Sequence, residues 1–201
     1  MSADLEQPTE RPDAITLQRA TRGDAELLAN LLELYIHDVC DVFPSVELGA
    51  SGRFGYTQLP LYWSEPERRF AYVIRHDERI AGFALAKRGS PVTPDPNVLD
   101  VAEFFVLRKF RRLGVGRAAA RLLWQALPGA WTVRVAERNG RALAFWSRVV
   151  ADSTCSTSSA WSPPDGLGSW RVFSFESPRP TGEPHDRAGG GFAVARNNVL
   201  R

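Results

Sequence analysis

Two glycines within a run of basic residues form the segment of the sequence best suited to binding an anion. Gly114 and Gly116 lie in VLRKFRRLGVGRAAARLL, residues 106–123, after an apolar run and before a helical pattern. A helix start presents backbone N–H groups that no carbonyl of the helix accepts, and glycine lets a ligand approach the backbone closely. The spacing fits neither a Walker phosphate loop nor a dinucleotide-binding fingerprint. The segment therefore predicts either another type of anion site or a basic surface that only contacts water.

Two carboxylates in the apolar run before the glycines could accept a proton. Under strict strand alternation, Glu103 shares its face with four apolar side chains, and Asp100 lies on the opposite face. The four apolar residues are Leu99, Val101, Phe105 and Leu107. Partial desolvation would raise the pKa of Glu103 toward values that suit a general base. The alternatives are a charge that escapes at a bulge or splay in the strand, and an ion pair with an arginine.

The elements that position these residues follow from the spacing of apolar side chains. Helical spacing covers residues 27–39, 115–126 and 139–150, and glycine, proline and aromatic residues predict a long loop over residues 43–66. The Ser-rich segment 151–168 predicts a strand remnant followed by a loop. The order β, α, long loop, β, β, β, α, β, α, β indicates a mixed α/β domain. The predicted strands are AITLQRA, RFAYVIR, RIAGFALAKR, VLDVAEFFVL, AWTVRVA and SWRVFSFES.

Length, composition and charge limit the class of protein. The 201 residues are 44% hydrophobic and 24% charged, which suits one globular domain. We assign residues 14–177 to that domain, residues 1–13 to a flexible N-terminus and residues 178–201 to a disordered tail. The net charge of +2 argues against a general nucleic-acid binder. Without a long apolar run or a secretion-signal pattern at the start, we expect a cytoplasmic protein.

The cysteines and histidines predict no metal site. Cys40 and Cys155 stand far apart and form no CxxC pair, which fits a reducing compartment. The three histidines, His37, His76 and His185, are scattered over the chain. Metal-binding motifs place such ligands at short, regular spacings. We therefore expect a protein without a metal.

The glycine segment and the helix after it resemble a known family. VLRKFRRLGVGRAAARLL resembles the acetyl-CoA-binding segment of the GNAT superfamily of N-acetyltransferases, whose signature is Arg or Gln, two residues, Gly, one residue, then Gly or Ala. Arg111, Gly114 and Gly116 stand at those positions. In ERNGRALAFWSRVV, Asn139 and Phe145 stand where the family's next helix carries its Asn and an aromatic residue. LLELYIHDV and the aromatic loop look like a poorly characterised bacterial branch of that superfamily.

This resemblance implies a fold, a cofactor and a set of binding residues. The family has a mixed, mostly antiparallel central sheet with a splayed fourth strand, flanked by helices, and acetyl-CoA lies between that strand and the next. The pantetheine would pair with the backbone of the fourth strand, and the pyrophosphate would accept N–H groups of the glycine segment. The implied cofactor-binding residues are Phe105, Val106, Leu107, Arg111, Arg112, Leu113, Gly114, Val115, Gly116, Arg117, Asn139 and Trp146.

Acetyl transfer to an amine would give the two carboxylates a role. An alkyl amine with a pKa of about 10 is mostly protonated near neutrality, so we expect Glu103, or else Asp100, to take its proton. Many family members carry a tyrosine on the helix after the Asn to protonate the thiolate, but this chain has Trp146 there. An indole supplies no proton near neutral pH, so Trp146 is expected to pack in the core or against the pantetheine. The family's acceptor region corresponds to His37, Asp38 and Tyr56.

The resemblance predicts an acetyl-CoA-dependent N-acetyltransferase for a primary amine of a small molecule or a protein, with two alternatives. A catalytically silent acyl-CoA-binding module is favoured slightly by Trp146 and by the irregular segment after Val150. A nucleic-acid binder using the arginines is disfavoured, because contact with a phosphate backbone needs no close approach at Gly114 and Gly116. We expect neither a nucleic acid nor a membrane as partner, and a homodimer is compatible with the sequence.

Overall fold

The structure, a computed structural model, describes residues 14–151, 154–163 and 168–177. The predictions of a flexible segment 1–13 and a disordered tail 178–201 concern residues outside these ranges. The strands are β1 (Ile15–Arg19), β2 (Arg69–His76), β3 (Arg79–Arg88), β4 (Leu99–Val106), β5 (Ala130–Ala136), β6 (Thr154–Trp161) and β7 (Trp170–Glu176). The helices are α1 (Ala25–Val39), α2 (Leu61–Ser64), α3 (Val115–Ala126) and α4 (Gly140–Val150).

All seven strands belong to one sheet, in the order β1-β2-β3-β4-β5-β7-β6. Every neighbouring pair is antiparallel except β4 and β5, which run parallel. A parallel pair needs a crossover connection, and α3 supplies it. The predicted mixed, mostly antiparallel sheet is confirmed. None of the helices in the described ranges has the length and apolar composition needed to cross a membrane.

The parallel pair β4 and β5 is joined only at its start. Residues 99–101 pair with residues 131–133, and beyond them β4 stays paired with β3 while β5 stays paired with β7. The two strands therefore diverge and leave a V-shaped opening in the sheet. The predicted splay of the fourth strand is confirmed.

A bulge in β4 lies at the start of this opening. Leu85 of β3 is opposite Glu103, and the next residue, Ala86, is opposite Val101. Ala102 is therefore an extra residue of β4 without its own partner on β3. Such a bulge shifts the alternation of side chains by one position and redirects the side chains that follow it.

The sheet separates two layers of hydrophobic core. Under α3 and α4 the layer is largely aromatic, and Trp124 packs against Trp131 and Phe175 with ring centroids 4.6 and 4.9 Å apart. Under α1 and α2 the layer is built from leucines and from aromatic side chains of the sheet. The apolar spacing that predicted three of these helices places their buried faces against the sheet.

The long loop after α1 is held to the rest of the domain at both ends. The carboxylate of Glu33 accepts the N–H groups of Phe54 and Gly55 at 2.8 and 3.1 Å. The ring of Phe43 stacks on Trp170 of β7 with centroids 5.8 Å apart. The predicted long loop is present, and it contains the short helix α2. These contacts keep the loop over the α1 face of the sheet.

The Ser-rich segment after α4 contains a full strand, β6, where the sequence predicted only a remnant. β6 pairs with β7 at the edge of the sheet, with a register shift between Thr154 and Thr157. Its residues 155–160 are exposed. An edge strand that packs on nothing needs no apolar alternation, so its serines and threonines gave a weak strand signal.

β3 and β4 approach closely at Gly82, which yields a test of this pairing. A Cβ at Gly82 would lie 1.9 Å from the carbonyl oxygen of Phe105. We expect Gly82→Ala to lower the free energy of unfolding by about 1–3 kcal/mol, because the backbone must shift to admit the methyl group. Urea denaturation followed by circular dichroism measures the change.

Gly140→Ala is the matched control for this substitution. Gly140 begins α4, is exposed, and has no atom within 4 Å of its Cβ position. There alanine should change stability by at most about 1 kcal/mol, in the stabilising direction. Equal free energies of unfolding for the two variants would contradict the close approach of β3 and β4.

Candidate active site

The connection from β4 to α3 is a short turn of 3-10 helix, Arg108–Phe110, followed by a tight turn at the glycines. Arg112 and Gly114 both have left-handed backbone, with φ of 65° and 80°. The left-handed turn at Gly114 leads directly into α3, whose first turn presents N–H groups that no carbonyl of the helix accepts. The segment therefore has the backbone geometry of an anion cradle.

The two glycines of the signature are required for different structural reasons, one for helix packing and the other for the backbone turn. A Cβ at Gly116 would lie 3.1 Å from Cε2 of Phe145 and 3.7 Å from Cγ2 of Val106, so Gly116 lets α3 pack closely on α4. At Gly114 no atom lies within 4 Å of the Cβ position. Gly114 supplies the left-handed turn and leaves the space above the loop open to a ligand.

Arg111, the first residue of the signature, is directed toward α1. Its Nε donates to the carbonyl oxygen of Val106 at 2.7 Å, and its Nη2 lies 2.5 Å from Asp38 Oδ2. Arg108 holds the other oxygen, Asp38 Oδ1, at 2.7 Å. Burial alone would raise the pKa of Asp38, but the hydrogen bonds from the two arginines outweigh it and hold that pKa below its ordinary value. Asp38 thus connects α1 to the segment between β4 and α3. Its contact with an acceptor stays a prediction.

The backbone of β4 that faces the opening is not the set the sequence indicated. The N–H of Leu107 donates to Ala81 of β3 at 2.8 Å, so the two-residue repeat of the ladder directs the backbone groups of Leu107 and Phe105 at β3. Phe104 and Val106 direct theirs at the opening. Of the three residues predicted to pair with pantetheine, only Val106 directs its backbone at the opening, as does Phe104, which the sequence did not indicate. The pairing with pantetheine stays a prediction.

The remaining predicted cofactor residues divide into exposed and buried ones. Arg112, Leu113 and Arg117 are exposed on the rim of the loop, while the side chain of Val115 is buried, leaving only its backbone available. Asn139 is the N-cap of α4, and its Oδ1 accepts the N–H of Ala142, the third residue of that helix, at 3.0 Å. The capping bond explains why α4 begins there.

Trp146 lies in the core under α3 and α4. Its side chain is 6% exposed and packs edge-on against Phe104 and Phe145, with centroids 5.2 and 4.9 Å apart. Core packing is one of the two placements expected for Trp146 from the sequence. The other expectation, contact between the indole and a bound pantetheine, stays a prediction.

The bulge decides which way Glu103 faces. Strict alternation predicted that Glu103 shares a face with Leu99 and Val101, but these two pack in the layer under α3 and α4. After the extra residue, Glu103 lies on the other face, with Phe105, toward α1. The predicted facing was therefore wrong for Leu99 and Val101 and right for Phe105, and a bulge of the kind considered as an alternative is present.

Glu103 is half-buried and surrounded by tyrosines. Tyr56 Oη donates to Glu103 Oε1 at 3.2 Å, and the side chain of Tyr35 lies near the same carboxylate. Burial raises the pKa of Glu103 above its ordinary value, although the two tyrosines and the positive charge of Arg134 oppose this shift. A carboxylate held by a donor but poorly solvated is suited to accept a proton.

The tyrosines themselves remain protonated. Burial and the nearby charge of Glu103 raise the pKa of Tyr35, Tyr56 and Tyr62. The Tyr62 hydroxyl is buried beside Tyr56 and Arg69 but has no partner of good hydrogen-bond geometry among the described residues. Sequence reasoning predicted only Tyr56 here. Tyr35 carried a detectable signal, since it continues the buried stripe of α1, whereas Tyr62 lay in a loop without periodicity.

Asp100, the second candidate base, belongs to a buried ion pair. It lies on the same face as Glu103, not on the opposite face as predicted, and has no exposed surface. Its Oδ2 is 2.7 Å from Nη2 of Arg134, and its Oδ1 accepts from Arg134 Nε at 3.0 Å and from Thr132 at 2.8 Å. Ser90 completes the network at 3.3 Å. With its oxygens engaged, Asp100 holds the junction of β4 and β5 and is not placed to touch a substrate.

His37 and the possible metal ligands complete the survey of predicted residues. His37 is exposed near the end of α1, with its ring 6.4 Å from the ring of Phe54. The structure does not bring it beside Glu103, so its predicted acceptor contact stays untested. Within residues 14–151, 154–163 and 168–177, no three His, Cys, Asp or Glu side chains are grouped to hold a metal ion.

Known proteins with a similar sequence pattern or fold are acetyltransferases. A family model described as the Acetyltransferase (GNAT) family matches residues 35–150. No curated protein matches the chain in sequence. One similar solved structure, described as histone acetyltransferase HPA2 and related acetyltransferase from Corynebacterium glutamicum, has a TM-score of 0.60 and 15% identity. That match covers 83% of this chain and 98% of the other.

Two further solved structures hold a ligand. The aminoglycoside acetyltransferase AAC(6')-Ib in complex with coenzyme A has a TM-score of 0.59 and 14% identity, covering 81% of this chain and 95% of the other. The acetyltransferase yncA from Salmonella typhimurium with acetyl-CoA has a TM-score of 0.54 and 14% identity, covering 85% and 98%. At such identities these likenesses show a shared fold. Because the family model matches more than half of the 201 residues, the chain belongs to the GNAT family of acetyltransferases.

Proposed function

We propose that this protein is an acetyl-CoA-dependent N-acetyltransferase that moves an acetyl group to a primary amine of a small molecule or protein by direct attack on the thioester. The observation that carries the proposal is the position of Glu103, half-buried on the α1 face of β4 just beyond the point where β4 and β5 part. A proton acceptor there lies beside the opening that leads to the glycine loop.

The residues around the opening fit acetyl-CoA. The open space above Gly114 and the N–H groups at the start of α3 suit a pyrophosphate, and Arg112 and Arg117 on the rim add positive charge. The outward backbone groups of Phe104 and the N–H of Val106, whose carbonyl oxygen already accepts from Arg111, suit an extended amide-containing chain. When bound, acetyl-CoA supplies an acetyl group activated as a thioester. The two ligand-bound relatives of the same fold support this choice.

Glu103 would make the acceptor amine nucleophilic. Its carboxylate takes a proton from the ammonium form, directly or through a water, and becomes a neutral carboxylic acid. The hydroxyl of Tyr56 holds the carboxylate in place before and after the transfer, because it donates a hydrogen bond and remains protonated. The raised pKa of Glu103 brings its basicity closer to that of the amine than an ordinary glutamate would.

No tyrosine on α4 is available to protonate the departing sulfur. Trp146 takes that position and is buried in the core. The three tyrosines near Glu103 have raised pKa values, so they donate hydrogen bonds more readily than protons. A thiol ionises with a pKa of about 8.5, so a thiolate can leave without an acid, and water can protonate it afterwards.

A catalytically silent acyl-CoA-binding module is the second candidate, favoured by the burial of Trp146 where relatives carry an acid. It would bind coenzyme A and release no thiol with any amine. In either case we propose a cytoplasmic protein that acts on neither nucleic acid nor membrane, and a homodimer is compatible with the proposal. Incubation with acetyl-CoA and a panel of primary amines, with thiol release as the signal, separates the two candidates.

A bulky residue at Gly114 should block coenzyme A. We expect Gly114→Val to weaken binding at least about tenfold, because valine strains the left-handed turn and fills the open space above it. Gly52→Val is the matched control, since Gly52 also has a left-handed backbone, with φ of 73°, and no neighbour within 4 Å. Calorimetric titration with coenzyme A measures both, and unchanged affinity in Gly114→Val would place the cofactor elsewhere.

Removing the carboxylate at position 103 should slow the reaction in a pH-dependent way. We expect Glu103→Gln to lower turnover about tenfold to a thousandfold near neutral pH, with coenzyme A affinity kept. The loss should shrink as the pH approaches the pKa of the amine, because more of the amine is then neutral without help. Rates of thiol release across pH measure this, and identical profiles for wild type and variant would remove Glu103 from the mechanism.

The same substitution should raise stability. The folded-state pKa of Glu103 lies above the ordinary value of 4.5, so the wild-type fold loses stability as the pH rises through that folded-state pKa. A neutral glutamine avoids this loss. Thermal denaturation should therefore show Glu103→Gln melting above wild type at pH 7, with the difference closing below pH 4.5. A wild type that is the more stable protein at pH 7 would contradict the desolvation of Glu103.

A further inference from the structure

A basic cavity lies at the end of β3 and β4 opposite the glycine loop. Lys87 and Arg69 share the face of Glu103 there, while Arg88 lies over Phe70 on the other face. The cavity measures about 200 Å³, which is room for about six water molecules. Four of the five side chains that line it are positively charged, and one is a carboxylate. The lining residues are Glu65, Arg68, Arg69, Lys87 and Arg88.

The positive charge in this cavity is poorly compensated. Its one carboxylate, Glu65, is engaged by Arg69 Nε at 2.9 Å. The side chains of Lys87 and Arg68 donate no hydrogen bond within the part of the chain that the structure describes. Arg88 lies over the ring of Phe70, 5.7 Å from its centroid, and its contact with the carbonyl oxygen of Asn97, at 3.5 Å, is beyond the range of a good hydrogen bond. Lys87 and Arg68 therefore line the cavity without a hydrogen-bonded partner among the described residues.

Lys87 has a lowered pKa, chiefly because its side chain is poorly solvated. Its side chain is half-buried, and burial lowers its pKa, with a further decrease from the charges of Arg134 and Arg69. The negative charges of Asp100 and Glu103 act in the opposite direction but do not restore the ordinary pKa. An anion in the cavity would stabilise the ammonium form by the same electrostatics.

The cavity and Glu103 are close enough to serve one small molecule. Lys87 and Leu85 are two positions apart on the same face of β3, and Leu85 is opposite Glu103. Two positions along a strand are about 7 Å apart, and an extended chain of roughly five or six bonds spans that length. Arg69 also flanks the ring of Tyr62, which lies near Glu103, so the two sites share one wall.

We propose that the acceptor is a small primary amine that carries an anionic group, a carboxylate or a phosphate, roughly five or six bonds from its nitrogen. The anion binds Lys87 and Arg68 in the basic cavity, and the amine lies at Glu103. This inference rests on the proposed N-acetyltransferase function and adds a substrate class to it. It adds no chemical step, since the cavity residues bind and orient the acceptor and take no part in proton transfer.

An acceptor series tests the proposal. Thiol release from acetyl-CoA is measured with 4-aminobutanoate, 5-aminopentanoate and 6-aminohexanoate, with 3-aminopropyl phosphate, and with the uncharged 5-aminopentanamide. We expect kcat/KM for 5-aminopentanoate to exceed that for its amide at least about tenfold, the value of one charge-assisted hydrogen bond. The phosphate compound separates a carboxylate site from a phosphate site. Equal kcat/KM for the acid and its amide would overturn the proposal and leave the transferase function standing.

Variants locate the anion. Lys87→Gln should raise KM for 5-aminopentanoate about tenfold and leave KM for the amide unchanged. Arg68→Gln, at an exposed position where folding is not at risk, should act in the same direction. Arg79→Gln removes an exposed cation at the other end of β3 and should change neither value. Equal effects of Lys87→Gln on acid and amide would show a structural role and contradict anion binding.

Calorimetry keeps this inference separate from the proposed function. Binding of 5-aminopentanoate is measured with coenzyme A present, in wild type and in Lys87→Gln. Binding that is lost in the variant supports the anion site even if no amine is acetylated, an outcome that would overturn only the proposed reaction. No binding in the wild type, together with acetylation of uncharged amines, would overturn the anion site alone.

Discussion

The parting of β4 and β5 is the constraint on which the rest of the site depends. The ion pair of Asp100 and Arg134 joins the two strands across the end of their ladder. Asp100 lies opposite Thr132, which also contacts it, and Arg134 is the first residue of β5 after the ladder. Removing one partner of such a pair leaves an uncompensated buried charge and costs about 3–5 kcal/mol. The pair therefore fixes where the ladder ends. Beyond it the backbone groups on the inner edge of β4 have no strand to pair with, and an extended ligand can supply the missing partners.

The bulge at Ala102 builds the second half of the site from the same junction. Because it adds one residue to β4, it brings Glu103 to the α1 face, on which Asp100 also lies. There Glu103 lies near Tyr35 of α1 and accepts a hydrogen bond from Tyr56 of the long loop. The resulting desolvation disfavours the charged form of the carboxylate. The folded protein is therefore less stable because of Glu103, at the position where a base is useful. Such local conflict between stability and function is expected at active sites.

The elements of this fold that could be predicted are those that depend on residues close together in the sequence. Helical spacing located α1, α3 and α4, and Gly114 and Gly116 located the turn before α3. The features that the sequence did not predict depend on contacts between strands that are distant in the chain. The facing of Glu103 depends on a bulge that exists only between two strands, and the partners Asp100 and Arg134 are 34 positions apart. β6 was underestimated because an exposed edge strand carries no apolar alternation.

The charges along the Glu103 face suggest why two anionic reactants could meet in this site. Cations stand at the glycine loop, at one end of β4, and in the basic cavity at the other, with the carboxylate of Glu103 between them. The proposed reactants, a cofactor rich in phosphate and an acceptor with its own anion, repel each other in solution. Binding at opposite ends of the sheet would place those anions farther apart than the distance over which salt screens charge, about 8 Å, and would bring together only the thioester and the amine. The repulsion is then compensated separately at each end, and the middle of the opening is left for proton transfer.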